Sequence, residues 1–483
     1  MRETHQQKLI QARLDKKSCQ PDFARPLTIE ARKYAVKELA RRSGVSREFF
    51  NAWQIDVASD HTVVTIVPDG NKKIYFQHIA AEKLHDLSKA KLPVGEALWP
   101  HGVRNALFEQ NFVIPFVETD YERVRPLFEV REDGSFLCKH DLLLSLLFTL
   151  CRVEETLSDV RDEHSRFPAS ASLAIKYGFL ERPIVDELGV AFEHVIRALL
   201  PAWRPERRML RMKLTHDIDD IGIPFRLRSA AAHTLKRGKP RASLRDIAST
   251  FSNSDPAELA QVRILADISH ARGFQSAFFW KGSHRTARDS GYDIFDPKVQ
   301  RTIAYIKERE FEVGVHPGYD TFESLTALSA EIDRLRAALA VKKIGGRQHY
   351  LRWSPQTWHD WETCELFYDS SVGFADYFGF RAGTAIPYRP WSFSQNRELN
   401  LIEIPLIVMD CTPVKYVRLP KIEALHRIGL CIKRTALVGG VFTLLWHNTP
   451  LLEPEYDGWY ESILDLLPSV QDYSLPDSVQ SLW

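Results

Sequence analysis

The stretch Leu210-Arg-Met-Lys-Leu-Thr-His-Asp-Ile-Asp-Asp220 decides how the second half of this chain is read. Its first part, Leu210–Leu214, has the character of a short buried strand. Its second part, from Thr215 to Asp220, places an imidazole and three carboxylates directly at the end of that strand. Ionisable residues just past a buried strand point to a parallel sheet whose strand ends share one mouth. Asp217 and Asp219 stand two residues apart. That spacing lets one carboxylate bind a cation while the other stays free to accept a proton.

Outward from this stretch the same pattern recurs. Short apolar strands are expected at Phe274–Trp280, Phe311–Val315, Ile344–Trp353, Leu401–Val408 and Val441–Trp446, alternating with helices. Three helices open with a cap followed by proline: Asp255-Pro256, Asp296-Pro297 and Ser354-Pro355. Alternating strands and helices predict an α/β fold with a parallel sheet, either barrel or doubly wound. Several strand ends again carry chemistry. Phe311–Val315 runs into His316, Ile344–Trp353 carries Arg347 and His349, and Val441–Trp446 runs into His447. Acids, imidazoles and an arginine gathered at one rim are the inventory of a hydrolytic metal site.

Upstream, the proline-flanked step Pro201-Ala-Trp-Arg-Pro205 marks a change of character and is taken as a domain boundary, 1–205 against 206–483. The first part reads as α+β. Thr62–Val67 and Lys73–Gln77 form a hairpin around the turn signal Pro68-Asp-Gly-Asn71, and Asp141–Glu155 and Asp186–Leu200 have helical periodicity.

The composition excludes several classes. A net charge of +1 gives no field that draws the chain to nucleic acid. The longest apolar runs, Leu142–Cys151 and Ala436–Trp446, fall short of the roughly 20 residues that cross a bilayer. Six scattered cysteines with no C-x-x-C pair argue against a zinc ribbon or a disulfide framework. With a polar N-terminus, these features lead to the expectation of a cytoplasmic protein. Nucleotide-binding loops and a serine nucleophile elbow are absent.

The order of the motifs resembles the polysaccharide deacetylases of carbohydrate esterase family four, in a divergent branch with an extra N-terminal domain. Thr215-His-Asp-Ile-Asp219 resembles the family's Thr-Phe-Asp-Asp motif, and Glu312-Val-Gly-Val-His316 the strand leading to its metal histidine. Arg347-Gln-His-Tyr350 resembles its Arg-x-Pro-Tyr motif, and Leu445-Trp-His447-Asn its late histidine motif. Tyr368-Asp-Ser-Ser-Val-Gly373 and Gly379-Phe-Arg-Ala-Gly383 are similar to stretches of the divergent branch. So are Arg166-Phe-Pro-Ala169 and Gly178-Phe-Leu-Glu-Arg-Pro183, in its N-terminal domain. The resemblance implies a distorted parallel (β/α) barrel of the polysaccharide deacetylase type after the α+β N-terminal domain. It implies a divalent metal ion, zinc first and cobalt or nickel as alternatives, held by Asp219 and His316.

The third ligand is open. Asp320 stands where the family has its second histidine, and His349 stands where it has proline; His349 is favoured because it lies at a strand end. The implied roles are Asp217 as general base, Arg347 as the group that orients it, and His447 as the acid that protonates the departing amine. Tyr350, Arg381 and Trp391 are the expected substrate-binding residues. Each has a plainer reading as well: a turn carboxylate, a satisfied core histidine, or a packed aromatic ring. Residues 221–250 hold seven basic residues (Arg226, Arg228, Lys236, Arg237, Lys239, Arg241, Arg245) against one acid, Asp246. This is either a solvated insertion or a clamp for a phosphorylated substrate. The expected activity is deacetylation of an amino-sugar or other saccharide substrate, a precursor of surface polysaccharide. The alternatives are an amide hydrolase removing a formyl or other acyl group, and a non-catalytic saccharide-binding protein.

Overall fold

The strand that opens the argument, Arg211–Ile218, lies at the centre of the main sheet. It is paired in parallel on one side with Ser276–Trp280 and on the other with Val441–Leu445. Glu312–Val315 extends the first side and Val408–Met409 the second, again in parallel. With neighbours on both edges, seven of its eight residues are buried. Only Met212, Leu214 and Ile218 among them are apolar, so the buried polar residues need partners of their own, as Lys213 has in Glu312. The strand runs past the expected end at Leu214, so Thr215, His216 and Asp217 belong to it.

The computed structural model describes residues 27–67, 72–79, 125–222, 255–283 and 285–467, and the backbone of three short strands at 94–98, 112–115 and 471–472. The turn at 68–71, the basic residues of 226–245, Asp246, Cys19 and His284 lie outside the described residues.

Beyond Glu312–Val315 the sheet continues through single bridges, Val315 to Gly346 and Gly346 to Asp369. Tyr368–Asp369 then pairs with Ile402–Glu403. A Cβ at Gly346 would lie 1.8 Å from the Val315 carbonyl oxygen, so only glycine lets the chain pass this close. The expected strand Ile344–Trp353 is therefore corrected. It is one bridge at Gly346 followed by a 3-10 turn at His349–Leu351, with Tyr350 and Leu351 at φ 61° and 54°. The expected strand Leu401–Val408 is two short strands that pair with different partners. Its start donates from Ile404 N–H to Asp369, and its end from Ile407 N–H to Thr443. One segment thus touches both ends of the arc. The result is an α/β fold with a parallel sheet rolled on itself, but among the described residues no strand pairing closes it.

Helices Ala257–Ala271, Pro297–Glu308, Leu325–Leu339, Pro355–Thr363 and Lys421–Leu437 connect the strands. Asp296 caps the second through Lys298 N–H, and on the fourth Thr357 Oγ1 accepts from Ser354 N–H at 3.0 Å. Asp255 does not cap its helix; its carboxylate pairs with Arg263 instead.

Before residue 205, helix Ile29–Arg42 packs on Ile184–Leu199. A five-stranded sheet contains the expected hairpin as His61–Ile66 against Lys72–Gln77, antiparallel. The long helix expected at Asp141–Glu155 breaks at Arg152, which adopts φ 52°. Among the described residues no helix is long and apolar enough to cross a membrane. The five described cysteines are free thiols.

Candidate active site

Parallel pairing sets Ile218, Trp280 and Val315 side by side. The next residues, Asp219, Lys281 and His316, therefore emerge together from three adjacent strand ends, about 4.8 Å apart per strand. Arg347 and His349 follow the Gly346 bridge at the same rim. Asp410 follows Val408–Met409, and His447 follows Val441–Leu445. These ends line a cavity of about 320 Å³, whose walls include Asp217, Asp219, Lys281, His316, His349, Tyr350 and His447. Arg166, from before residue 205, and Arg288 also line it.

Asp217 is buried and fixed. Its Oδ1 accepts from Arg347 Nη1 at 2.9 Å. Arg347 is itself fully buried; it donates to Thr215 Oγ1 at 2.9 Å, to Ser370 Oγ at 3.0 Å and to the Ser370 carbonyl at 2.8 Å. A guanidinium with no freedom left holds the carboxylate in one orientation.

Asp219, His316 and His349 form a separate group whose ligand atoms all lie within 4.8 Å of one another. His316 Nδ1 sits 2.7 Å from the Arg347 carbonyl, which can only accept, so Nδ1 carries the proton and Nε2 presents a lone pair. His349 Nδ1 lies 2.7 Å from Asp289 Oδ1 without forming a hydrogen bond, and its Nε2 faces the cavity. Asp219 Oδ1 is 3.1 Å from His316 Nε2 and 3.2 Å from His349 Nε2. Neither Asp219 Oδ1 nor His316 Nε2 makes a hydrogen bond. Lys281 Nζ already meets two of these atoms, Asp219 Oδ1 at 3.1 Å and His349 Nε2 at 2.9 Å, and two nitrogens with one oxygen converging on one point are also a donor set that suits a divalent metal. The two spacings from Asp219 Oδ1 are a little under the edge of roughly 3.4 Å that bonds of about 2.1 Å impose on a tetrahedral site. The residues fit the group.

The electrostatics agree. Burial opposes ionisation of Asp219, yet Lys281 and His349 outweigh it and hold the carboxyl well below its usual range. Burial keeps His316 below the normal histidine value, as a ligand nitrogen requires. Burial also disfavours charge on His349, but Asp219 outweighs it and the pKa rises, which marks a centre rich in negative charge.

His447 faces this group from the opposite wall, with Nε2 3.6 Å from Asp219 Oδ2. Its Nδ1 lies 3.0 Å from both oxygens of Asp410, and Asp410 Oδ2 also accepts from the His447 backbone N–H at 2.6 Å. Against the cost of burial, Asp410 holds the imidazole proton, and the His447 pKa is raised to about 9. A histidine protonated at neutral pH, with its free N–H in the cavity, is an acid.

The other expected site residues are placed as follows. Tyr350 lines the cavity, its ring 4.5 Å from that of His349. Asp320 is exposed on the turn Tyr319–Thr321 and is not in the group. Arg381 does not reach the cavity; its guanidinium is spent on Glu155 at 2.9 and 2.6 Å and on the Gly373 carbonyl. Trp391 is buried against Tyr34, with ring centroids 5.2 Å apart, and also lies away from the cavity.

Three participants fall outside the sequence reading: Lys281, Asp289 and Asp410. Lys281 and Asp410 were signalled, because each directly follows an expected strand or its last residues. Asp289 lies on a connecting segment and had no such signal.

A profile of a family of unknown function (DUF7033) matches residues 31–201. A search of curated proteins finds no match. Among solved structures, the chain is similar to a protein described as a polysaccharide deacetylase from Mycobacterium smegmatis, at 15% identity and a TM-score of 0.39, over 58% of this chain and 94% of that one. It is similar to one from Bordetella bronchiseptica, described as a polysaccharide deacetylase involved in O-antigen biosynthesis, at 16% identity and a TM-score of 0.27, over 58% and 91%. It is also similar to an allantoinase, PuuE, at 11% identity and a TM-score of 0.39, over 58% and 92%. At these values the side-chain geometry of this chain alone carries the reading of its site.

Proposed function

We propose that the chain is a metal-dependent amide hydrolase that removes an N-acetyl group from an amino-sugar substrate. One observation carries the reading. Three cation-seeking acceptors, on Asp219, His316 and His349, share a cavity with a clamped carboxylate, Asp217, and a protonated imidazole, His447. A divalent ion, with zinc the first choice, supplies a Lewis acid for the acyl oxygen and acidifies water when bound. The rest is done by the chain. Asp217, held through Oδ1 by Arg347, takes a proton from the attacking water. His447, oriented by Asp410, gives its Nε2 proton to the nitrogen as the C–N bond breaks. Water and amide thus become acetate and a free amine. Tyr350 offers an aromatic wall for a sugar ring.

The motif resemblance supports the amino-sugar substrate. The seven-to-one excess of basic residues in 221–250 favours a phosphorylated precursor of surface polysaccharide, met in the cytoplasm. We place the chemistry in 206–483, with 1–205 as an accessory domain that contributes Arg166 to the mouth.

The test is acetate release from a panel of N-acetylated amino sugars and their nucleotide-linked forms by the metal-replete full chain. Asp217→Asn should lower the rate by about 10³-fold while the metal stays bound. Stoichiometric metal with no acetate from any member would sink the deacetylase reading.

A further inference from the structure

Lys281 occupies an unusual place for a lysine. It is 1% exposed, at the end of a strand whose neighbours deliver Asp219 and His316. Its Nζ lies 3.1 Å from Asp219 Oδ1 and 2.9 Å from His349 Nε2. These are two of the three atoms that a metal ion would need. On its other side, Nζ lies 3.0 Å from Asp289 Oδ1, a carboxylate that is not in the ligand group. Asp289 is itself buried and anchored, accepting from Tyr319 N–H at 2.8 Å and lying 2.7 Å from His349 Nδ1.

A monovalent ammonium and a divalent ion cannot share two acceptors at these distances. In a low-dielectric cavity the repulsion between charges about 3 Å apart is severe, and His349 Nε2 has a single lone pair to give. Asp289 offers the ammonium a second resting place one contact away. Retreat onto it would leave Asp219 Oδ1 and His349 Nε2 free without leaving a buried charge unpaired.

We propose that Lys281 is the resident counter-ion of this centre and competes with the metal for Asp219 and His349, so that metal enters only as the ammonium retreats onto Asp289. This rests on the reading of Asp219, His316 and His349 as metal ligands. Lys281 thereby sets a threshold for loading: the chain takes up metal only at a higher free concentration than the same three ligands would alone. It is a positioning residue for the metal rather than a catalytic one.

The experiment is calorimetric titration of the metal-stripped full chain with zinc and, separately, cobalt(II), whose visible absorption reports its ligand set. The variants are Lys281→Met, Lys281→Met with Asp289→Asn, and His316→Ala. Lys281→Met should bind both ions at least tenfold more tightly than the unaltered chain. If loss of the ammonium leaves Asp289 without its neighbouring cation and the single variant fails to fold, the double variant removes both charges and carries the same expectation. Unchanged affinity overturns the proposal. So does weaker binding, which would make the lysine amine a ligand. If His316→Ala abolishes binding while Lys281→Met changes nothing, the counter-ion proposal fails and the ligand reading stands. If no variant binds either ion, the ligand reading fails and takes the proposal with it.

Discussion

Two clusters of buried charge in this molecule are built differently. Before and around residue 205, carboxylates are matched by guanidinium groups. Arg32 grips Asp141 with both arms, and Arg41 and Arg42 converge on Glu38. Arg42 Nε also reaches Asp186 at 3.0 Å, and Arg152 and Arg381 share Glu155. At the strand ends the account does not balance. Asp219 Oδ1 and His316 Nε2 face each other without a hydrogen bond, and a single ammonium serves Asp219, Asp289 and His349. Burial of charge alone therefore does not mark a functional site, since matched pairs are structural devices. An excess of aimed acceptors does mark one.

The largest effect that would break this contrast is structural. Glu155 is buried and held low because, against the cost of burial, Arg381 and Arg152 favour its charge. Glu155→Ala leaves Arg381 buried without a carboxylate and Arg152 with Glu154 alone, at 3.3 Å. It should cost about 3–5 kcal/mol in urea unfolding. The reverse holds in the cavity, where His316→Ala removes one of a set of facing acceptors and should leave the unfolding midpoint nearly unchanged. A small loss for Glu155→Ala together with a large one for His316→Ala would reverse the assignment of structure and function to the two regions.

A smaller effect sharpens the contrast inside the cavity. Asp410 and His447 form a matched pair, yet the histidine's other nitrogen faces the substrate space. With a pKa of about 9, His447 is protonated across neutral pH and becomes unable to donate as pH rises through that value. In Asp410→Asn the imidazole should return towards about 6.5. The alkaline limb of the pH–kcat profile should fall by about 2.5 pH units, with roughly a 30-fold loss at pH 8 and little at pH 6. An equal loss at both pH values would show that Asp410 only orients the ring.

How much of this was legible depends on whether a residue's place followed from strand position. Asp217, Asp219, His316 and His447 could be placed because a parallel strand delivers its next residue to the common rim. Lys281 and Asp410 obey the same rule and were readable, but a lysine and a lone aspartate do not suggest metal chemistry by type. His349 was favoured for a reason the structure corrects. It reaches the cavity from a turn with two consecutive positive φ values, beyond a one-residue bridge that glycine permits. Arg381 shows the limit of motif reading. Its stretch resembles a family segment, but its partner Glu155 is 226 residues away, and nothing local announces that pairing. Likewise, the split of 401–408 into two strands reflects which neighbours the rolled sheet offers. No local propensity encodes that.

The smallest effect concerns a carboxylate that belongs to neither class. Glu331 is buried, with no guanidinium and no place in the ligand group. It accepts from Gly282 N–H at 2.9 Å and from Gly318 N–H at 3.1 Å. These glycines follow Lys281 and the His316-Pro317 step, so one side chain ties two strand ends of the cavity together. Burial raises its pKa to about 7, only partly countered by the two N–H donors. Its folded value thus lies above the unfolded value of 4.5. The stability contributed by holding the proton is fully present below the unfolded value and is lost as pH rises through about 7. Across that window the unaltered chain should lose on the order of 2 kcal/mol relative to Glu331→Gln, which keeps an acceptor but cannot ionise. Urea unfolding at pH 5 and pH 8 measures the difference. A gap between the two proteins that stays constant with pH would mean that Glu331 is ionised throughout and that Lys281 or the backbone donors neutralise it. In that case it would join the matched pairs, and the unbalanced centre would narrow to Asp219 and its two histidines.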